Sequence, residues 1–266
     1  MAQWRFERVV SEKLQGQVWR VQSEGRVGYF KFARDDQWRY SGPYIANEWI
    51  TAALARRLGL PVADLEVADV VGPDGVAWHG VVSVVTPAEE VISWAKAPQA
   101  VRQRPEDHLY DVARLSQLVV FDAWTANVDR ATGTNLILYR HQGEQRYHWY
   151  LIDHALCLLG APYKWEKHRW RDPFWSRLWL YYHTPQGLLR LQSSWSALSP
   201  MIRRIERLQP GDIDAAIASA PQGSLPSRMR QETRALLLHR QRILRTLLRR
   251  WLTFRGVKEF RPRRHD

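Results

Sequence analysis

The hydrophobic pattern of this chain changes from strand-like in the first third to mostly helical in the remainder, which limits the fold to one with two unlike parts. Residues 17–32 contain two apolar runs around a Ser-Glu-Gly turn and predict a β-hairpin. Residues 62–71 and 76–85 predict a second hairpin, because Gly-Pro-Asp-Gly separates them. Between the hairpins, residues 42–59 open with Gly-Pro, end in glycine and predict a helix.

The later part of the chain is dominated by helical spacing. Residues 105–124 carry a broad apolar stripe, and the pattern after about Asp172 is helical again, with breaks at prolines. The sequence therefore predicts a bilobal α+β architecture, with a small β-rich lobe over residues 1–86 and a larger, mostly helical lobe over residues 87–266. The stretch 86–104 is the expected hinge between the lobes.

The composition of the chain indicates the cellular compartment in which it is expected to work. No apolar run approaches the ~18–20 residues of a membrane span, and the N-terminal sequence MAQWRFERVVSEK lacks the apolar core of a secretory signal. Cys157 is the only cysteine, which excludes an internal disulfide framework. We therefore expect a cytoplasmic protein.

Positive charge is concentrated at the C-terminus. The formal net charge is +12, and residues 227–266 carry 13 of the 39 basic and 3 of the 27 acidic side chains. Leucines and Trp251 recur there at helical spacing, with arginines such as Arg240, Arg242 and Arg245 between them, and predict an amphipathic helix. Its basic face either is simply solvated or contacts nucleic acid, an acidic partner or anionic lipid.

A lysine on a predicted strand is the first candidate for chemistry. Lys31 lies in GYFKF, and an ammonium group that is buried there requires an anion, which Glu48 of the next helix can supply. A strand lysine followed by a helix glutamate is an arrangement that nucleotide sites use to hold the α- and β-phosphates. The alternative is that Lys31 points outward and is solvated.

A polar loop and a later aspartate form the second candidate. Asp129 lies in the loop TANVDRATGTN, Asn135 ends that loop, and Asp153 ends the next predicted strand in WYLIDHA. Two carboxylates and an amide on adjacent ends of a hairpin can converge on Mg²⁺, which prefers oxygen ligands and shares them with substrate phosphates. The alternative is that these residues only cap helices and form turns. Arg130 either pairs with a phosphate or locks the loop.

Other catalytic classes are poorly supported. The histidines lack the spacing of zinc ligands, and Cys157 has no cysteine partner. The sequence contains no Gly-x-Ser-x-Gly, Walker A or Rossmann glycine motif.

The ordered set GYFKF, ANEWITAALARRLGLPV, FDAWTANVDRATGTNLIL and YLIDHALCL resembles the HipA-like kinases over roughly residues 17–160. The resemblance implies a protein-kinase-like, phosphoinositide-kinase-like fold and an ATP-dependent kinase. It implies that Lys31 holds the α/β-phosphates and that Glu48 orients it. It further implies that Asp129 is the catalytic base and that Asn135 and Asp153 bind Mg²⁺.

This chain departs from the pattern of related kinases at two points. Asn135 follows Asp129 by six residues, where related kinases usually have five, so the loop is expected to bulge or Asn135 to be a poorer ligand. The phosphate-covering turn is poor in glycine, although backbone N–H groups from Ser23 to Gly25 can still cradle phosphate. The adenine ring is expected at the lobe hinge, on backbone groups near Val85.

The function predicted from the sequence is transfer of the γ-phosphate of Mg-ATP to a hydroxyl acceptor, either a protein Ser/Thr or a small molecule. One alternative is a non-catalytic kinase-like binding module whose basic C-terminal helix contacts nucleic acid or an acidic partner. A second alternative keeps the nucleotide but transfers AMP instead of phosphate.

Overall fold

Alternating apolar residues in the first third of the chain build a five-stranded antiparallel sheet. The computed structural model describes residues 3–166, 169–172, 185 and 187–257. The strand order in the sheet is β1-β2-β3-β5-β4, with these bounds: β1 Arg5–Lys13, β2 Gly16–Ser23, β3 Arg26–Phe32, β4 Leu65–Val71 and β5 Ala77–Val84. The two predicted hairpins, β2–β3 and β4–β5, are therefore confirmed.

The two faces of this sheet have different roles. Phe30 and Phe32 of β3 are fully buried in a small aromatic core that includes Trp19 of β2. Because side chains alternate along a strand, Lys31 lies on the opposite face. The sequence pattern of β3 therefore turns one face toward a core and aims the lysine at the rest of the molecule.

Strand β1 was not predicted from the sequence. It pairs with β2, but the register shifts between Phe6 and Arg8 and again between Val9 and Ser11. Each irregularity breaks the two-residue alternation by which strands are recognised. In addition, β1 is an edge strand whose side chains are mostly exposed, so its sequence lacks a clear apolar face.

Helix α2 (Tyr44–Arg57) confirms the predicted helix and is buried on nearly all sides. A short helix, α1 (Trp38–Ser41), precedes it. Ile50 and Leu54 of α2 are fully buried in a second, larger core, which they share with the C-terminal helices. Arg57 also forms an ion pair with Asp212 of a C-terminal helix. The lobe boundary that the sequence predicts at residue 86 stays a prediction. The buried side chains of α2, however, belong to the core of the larger, helical part.

The segment predicted as one helix over 105–124 is divided. It consists of α4 (Pro105–His108), α5 (Val112–Leu115) and α6 (Leu118–Thr125), after a short α3 (Gln99–Gln103). After α4 the backbone is extended at Leu109 and left-handed at Asp111, with φ +54°, so regular helix is interrupted before α5 begins. Every residue of α6 is buried.

A second antiparallel sheet follows, in the order β6-β7-β8: β6 Glu90–Ser93, β7 Leu136–Arg140 and β8 His148–Leu151. Strands β7 and β8 confirm the predicted hairpin. Strand β6 lies within the expected hinge, 86–104, which is therefore partly regular structure. The polar loop that contains Asp129 connects α6 to β7.

Within the described residues after 187, the α-helices are α7 Trp195–Arg207, α8 Pro210–Ala218 and α9 Ser227–Phe254. The amphipathic helix predicted in the basic tail is α9, and its apolar face belongs to the large core. The structure corrects one point, because Arg240 is only 2% exposed and does not belong to a solvated basic face. None of the helices in the described residues is both long and apolar enough to cross a bilayer. The predicted α+β fold, with a small sheet part and a larger helical part, is confirmed.

Candidate active site

The two parts of the molecule meet at Lys31. Its ammonium donates to Glu48 Oε1 of α2 at 2.8 Å and also to Asp153 Oδ1, which lies 122 residues away in the chain. The Lys31 side chain is 18% exposed and the Glu48 side chain 5% exposed. The alternative in which Lys31 is a solvated surface residue is therefore excluded by the structure.

Burial and charge act in opposite directions on this pair. Burial alone would lower the pKa of Lys31, but the charges of Asp153 and Glu48 outweigh it and raise that pKa. Burial alone would raise the pKa of Glu48, but Lys31 and the neighbouring His154 hold it below its ordinary value. The backbone N–H of His154 donates to Glu48 Oε2 at 2.6 Å. Lys31 and Glu48 thus hold each other in their charged forms.

Asp153 lies just past the end of β8 in an uncommon backbone conformation. Its φ is +56°, in the left-handed region that aspartate tolerates better than most residues. The carboxylate is 35% exposed, whereas the strand before it is buried. This conformation turns the side chain out of the sheet and toward Lys31.

Asp129 and Asn135 face each other across the loop between α6 and β7. Asn135 Nδ2 donates to Asp129 O at 2.9 Å and to Asp129 Oδ2 at 3.0 Å. The backbone N–H of Asp129 donates to Asn127 Oδ1 at 3.0 Å. The six-residue spacing therefore still brings the amide to the carboxylate.

Gly133 holds the loop close to a buried tryptophan. Its φ is +72°, and an added Cβ would lie 2.7 Å from Cδ1 of the buried Trp94. Only glycine fits such a close approach at a positive φ. The expected bulge relative to related kinases stays a prediction.

Two carboxylates share this site. Burial and the charge of Asp153 raise the pKa of Asp129, against the hydrogen bond from Asn135. A cation between Asp129 and Asp153 would relieve the repulsion between their negative charges. The side chains available as metal ligands offer carboxylate and amide oxygens, the type that Mg²⁺ prefers. Within the described part of the chain, no group of three or more His, Cys, Asp or Glu side chains is placed to hold a metal ion. The residues therefore fit Mg²⁺ only if nucleotide phosphates supply further ligands.

A buried network fixes the base of the loop. Arg130 is 3% exposed, donates to Asp122 through Nε at 3.3 Å and through Nη2 at 3.2 Å, and donates to the carbonyl of Asn135. Asn127 Nδ2 donates to Asp122 Oδ1 at 2.7 Å. Of the two roles considered for Arg130, the structure favours the lock on the loop, because its guanidinium is enclosed.

Sequence reasoning missed Asn47. This residue is 1% exposed, and its Nδ2 donates to the carbonyl of Ala155 at 2.8 Å and weakly to that of Gly160 at 3.4 Å. It therefore ties α2 to the segment that follows Asp153. The composition contains a signal that could have found it, since the chain has only three asparagines and the other two, Asn127 and Asn135, lie in the polar loop of the site.

The residues expected to cover the nucleotide lie at one end of the central strands β2, β3 and β5. Glu24 and Gly25 have φ of +48° and +78° and form a tight two-residue turn between β2 and β3. The Ser23 side chain is buried, and by strand alternation it lies on the aromatic face of the sheet, opposite Lys31, so it is not placed to contact a nucleotide bound at Lys31. At the hinge, the Val85 N–H donates to the carbonyl of Val27 at 2.9 Å and is therefore already engaged within the sheet part.

A comparison with known protein families gives a match over part of the chain. Residues 40–168 match the family model of the HipA-like kinases. That range includes Glu48, Asp129, Asn135 and Asp153 but begins after Lys31. A search of curated proteins with the sequence finds no match.

Among solved structures, the chain is similar to the Helicobacter pylori proinflammatory kinase CtkA. The sequences are 12% identical, the match covers 93% of this chain and 98% of that one, and the TM-score is 0.60. The match to the complex of HipA, HipB and operator DNA from Shewanella oneidensis MR-1 has 16% identity, 96% and 67% coverage and a TM-score of 0.44. WaaP in complex with acyl carrier protein gives 13% identity, 97% and 90% coverage and a TM-score of 0.37. The first of these similarities confirms the kinase-like fold, and the other two are too weak to add to it.

Proposed function

Residues 40–168 match the family model of the HipA-like kinases, and on that premise we propose that the chain is a HipA-like kinase that transfers the γ-phosphate of Mg-ATP to a hydroxyl acceptor. The acceptor is a protein Ser/Thr or a small molecule. The observation that carries this proposal is the contact of Lys31 with both Glu48 and Asp153 across 122 residues of chain. A fold that only needed a stable core would not place a lysine, three carboxylates and a loop amide together beside solvent.

Lys31 is the proposed phosphate ligand. Its ammonium is held between Glu48 and Asp153, and of these carboxylates Glu48 is buried and fixed by the His154 N–H, whereas Asp153 is partly exposed. A nucleotide that enters the site can therefore take the place of Asp153 as a partner of Lys31 while Glu48 keeps the ammonium in position.

Asp129 is the proposed catalytic base. A carboxylate beside the incoming hydroxyl can accept its proton, and the raised pKa of Asp129 makes it a better proton acceptor than an ordinary aspartate. Asn135 fixes its orientation by donating to Oδ2. The enclosed Asp122–Arg130 pair keeps the loop that presents Asp129 from moving.

Asp153 and Asn135 would hold the magnesium ion. A magnesium ion held by these two residues would supply positive charge to offset the negative charge that develops during phosphoryl transfer. Asp153 contributes a partly exposed carboxylate, and Asn135 has its Oδ1 beside Asp129, where it accepts only a long bond of 3.3 Å from Thr134. ATP would extend from the Val85 carbonyl toward Lys31, under the Ser23–Gly25 turn.

The test is the melting temperature with and without Mg-ATP. Binding to the folded state adds about 2.7 kcal/mol of stability at one hundred times Kd, so the wild-type protein should melt at a higher temperature with Mg-ATP. Asp153→Ala should lose this shift, and Asp107→Ala, at an exposed site in α4, should keep it. The absence of a shift in the wild-type protein at saturating nucleotide would refute the proposal.

Labelled ATP distinguishes the three functions considered. Transfer of the γ-phosphate supports the kinase, and transfer of the α-phosphate with AMP supports the nucleotidyl transferase. Nucleotide binding without either transfer, with every acceptor class tested, supports the binding module. We also expect the protein to work in the cytoplasm.

Binding of a partner by the basic helix α9 stays a prediction. The structure reduces the number of its arginines that are available for such a partner. Arg234 and Arg245 form bidentate pairs with Asp214 and Glu206, and Arg240 is buried. A nucleic acid or acidic partner would therefore meet a surface that is less basic than the sequence suggests. A steep salt dependence of binding that Arg242→Gln weakens would support this role.

A further inference from the structure

The C-terminal end of α6 leads directly into the loop that contains Asp129. The last carbonyls of any helix lack partners inside the helix and need them from elsewhere. Here the α6 carbonyls at Ala123, Trp124 and Thr125, and that of the next residue, Ala126, all accept hydrogen bonds from outside the helix. The donors come from two parts of the chain that are distant from α6 in sequence.

The first donor is Arg240 of α9. Its Nε donates to Ala123 O at 2.8 Å and to Trp124 O at 3.2 Å, and its Nη2 also donates to Ala123 O. In return, the indole of Trp124 donates to Leu237 O at 3.1 Å. A buried cation at this end of the helix also interacts favourably with the helix dipole.

The second set of donors comes from the segment after Asp153. The backbone N–H of Leu158 donates to Thr125 O at 2.6 Å. Lys164 Nζ donates to Ala126 O at 2.8 Å, to Leu156 O at 3.1 Å and to Leu158 O at 3.3 Å. One ammonium group therefore joins the residue just before the catalytic loop to the turn just after the metal-binding aspartate.

We infer that Lys164 is a positioning residue that sets the distance between the Asp129 loop and the Asp153 segment. The inference rests on the proposed function, because it assigns both segments to one reaction. It assigns no contact with substrate to Lys164, whose three acceptors are all backbone carbonyls. Asn47 holds the same segment from the opposite side, through Ala155 O, so Lys164 acts on a segment that is already attached to α2.

The number of donors explains why a lysine is needed. An ammonium group has three N–H bonds for three carbonyls, whereas a neutral amine has two. The pKa of Lys164 is lowered to about 7, chiefly by burial; Cys157 acts in the opposite direction and Arg240 acts in the same direction as burial. The indole ring of Trp165 faces the ammonium at 5.0 Å. Met at position 164 fills similar space without a donor, and Arg keeps a permanent charge with several donors.

Hydrogen exchange of the protein without nucleotide tests the coupling. In Lys164→Met, the amides of Leu158 and Asn127 should exchange about 10-fold faster than in wild type, because a buried hydrogen-bond network has lost its donor. The amides of β3 should not change. Lys96→Met, which removes the same charge at an exposed position, should leave all of these rates unchanged. Equal exchange in Lys164→Met and wild type would overturn the inference.

Kinetics tests the consequence for the reaction. Misplacement by about 1 Å can reduce a rate by about 100-fold, so Lys164→Met should lower kcat strongly while the Kd for Mg-ATP changes by less than about 2-fold. Lys164→Arg should restore most of kcat and should lack any loss of kcat that wild type shows above about pH 7, since arginine stays protonated there. An alkaline loss of kcat that is equal in Lys164→Arg and wild type would contradict the assignment.

The hydrogen-exchange and kinetic experiments together distinguish failure of this inference from failure of the proposed function. If the wild-type protein transfers no phosphate but Lys164→Met alters exchange at Leu158 and Asn127, the coupling stands and the proposed function fails. If transfer occurs and exchange is unchanged, the coupling fails and the proposed function stands.

Discussion

Replacement of Lys31 by methionine should destabilise the fold by about 3–5 kcal/mol at pH 7, which is the usual cost of leaving a buried charge without its partner. The charge in question is Glu48, which is 4% exposed and accepts from Lys31 at 2.8 Å. Asp153 adds little to this cost, because it is 35% exposed and water can solvate it. The His154 N–H would remain bonded to Glu48 but carries no full charge.

This destabilisation should depend on pH in a defined direction. In the wild-type protein, the pKa of Glu48 lies below its ordinary value, so Glu48 contributes stability above about pH 4.3 that is lost as the pH falls. Without Lys31, burial dominates and the pKa of Glu48 should rise above that value. The folded state then binds more protons than the unfolded state, and stability decreases as the pH rises. The difference between the two proteins should therefore widen from about pH 4 to pH 7.

Urea denaturation at pH 4.5, 5.5 and 7 measures these free energies of unfolding. Lys31→Met combined with Glu48→Gln should be more stable at pH 7 than Lys31→Met alone, because glutamine can still accept from His154 and carries no charge. Lys96→Met should change stability by less than about 0.5 kcal/mol. A loss in Lys31→Met that does not vary with pH, or a double variant that is no more stable than the single one, would refute the reasoning.

Three further predictions concern the loop, the last helix and a glycine contact. Asp129→Asn should abolish phosphate transfer, measured with γ-labelled ATP, and should keep the Mg-ATP shift in melting temperature, since the proposed base is not a nucleotide ligand. Deletion of residues 227–266 should give an unfolded protein by circular dichroism instead of a folded one with weaker nucleic-acid binding, because α9 forms part of the large core. Gly42→Ala should destabilise the protein by about 1–3 kcal/mol in urea denaturation, because Gly42 has φ +55° and an added Cβ would lie 2.5 Å from Gly160 O. A folded truncated protein, or wild-type stability in Gly42→Ala, would contradict the last two.

The sequence predicts the elements that have a regular pattern and a clear end. The hairpins β2–β3 and β4–β5, the helix α2 and the tail helix α9 all follow from periodicity and turn residues. Strand β1 and the division at Asp111 do not, because bulges and a left-handed residue are set by pairing and packing with distant parts of the chain. Local patterns contain no information on those contacts.

The residues of the candidate site also divide into those that a local pattern indicates and those that depend on distant contacts. Lys31, Asp129 and Asp153 could be selected from the sequence because each has an unusual place in a strand or loop. Asn47 and Lys164 could not, since both act on backbone carbonyls that become neighbours only in the folded protein. The family resemblance supplied the roles of the first group and says nothing about the second.

The burial of α2 in the large core determines which part of the molecule is free to move. To swing α2 away from the rest would expose Ile50 and Leu54, at a cost of about 2–3 kcal/mol for each side chain. The five-stranded sheet has its own aromatic core and carries Lys31, whereas Glu48 stays with the helices. The Lys31–Glu48 ion pair therefore connects the two hydrophobic cores, and any separation of the sheet from the helices would have to break it.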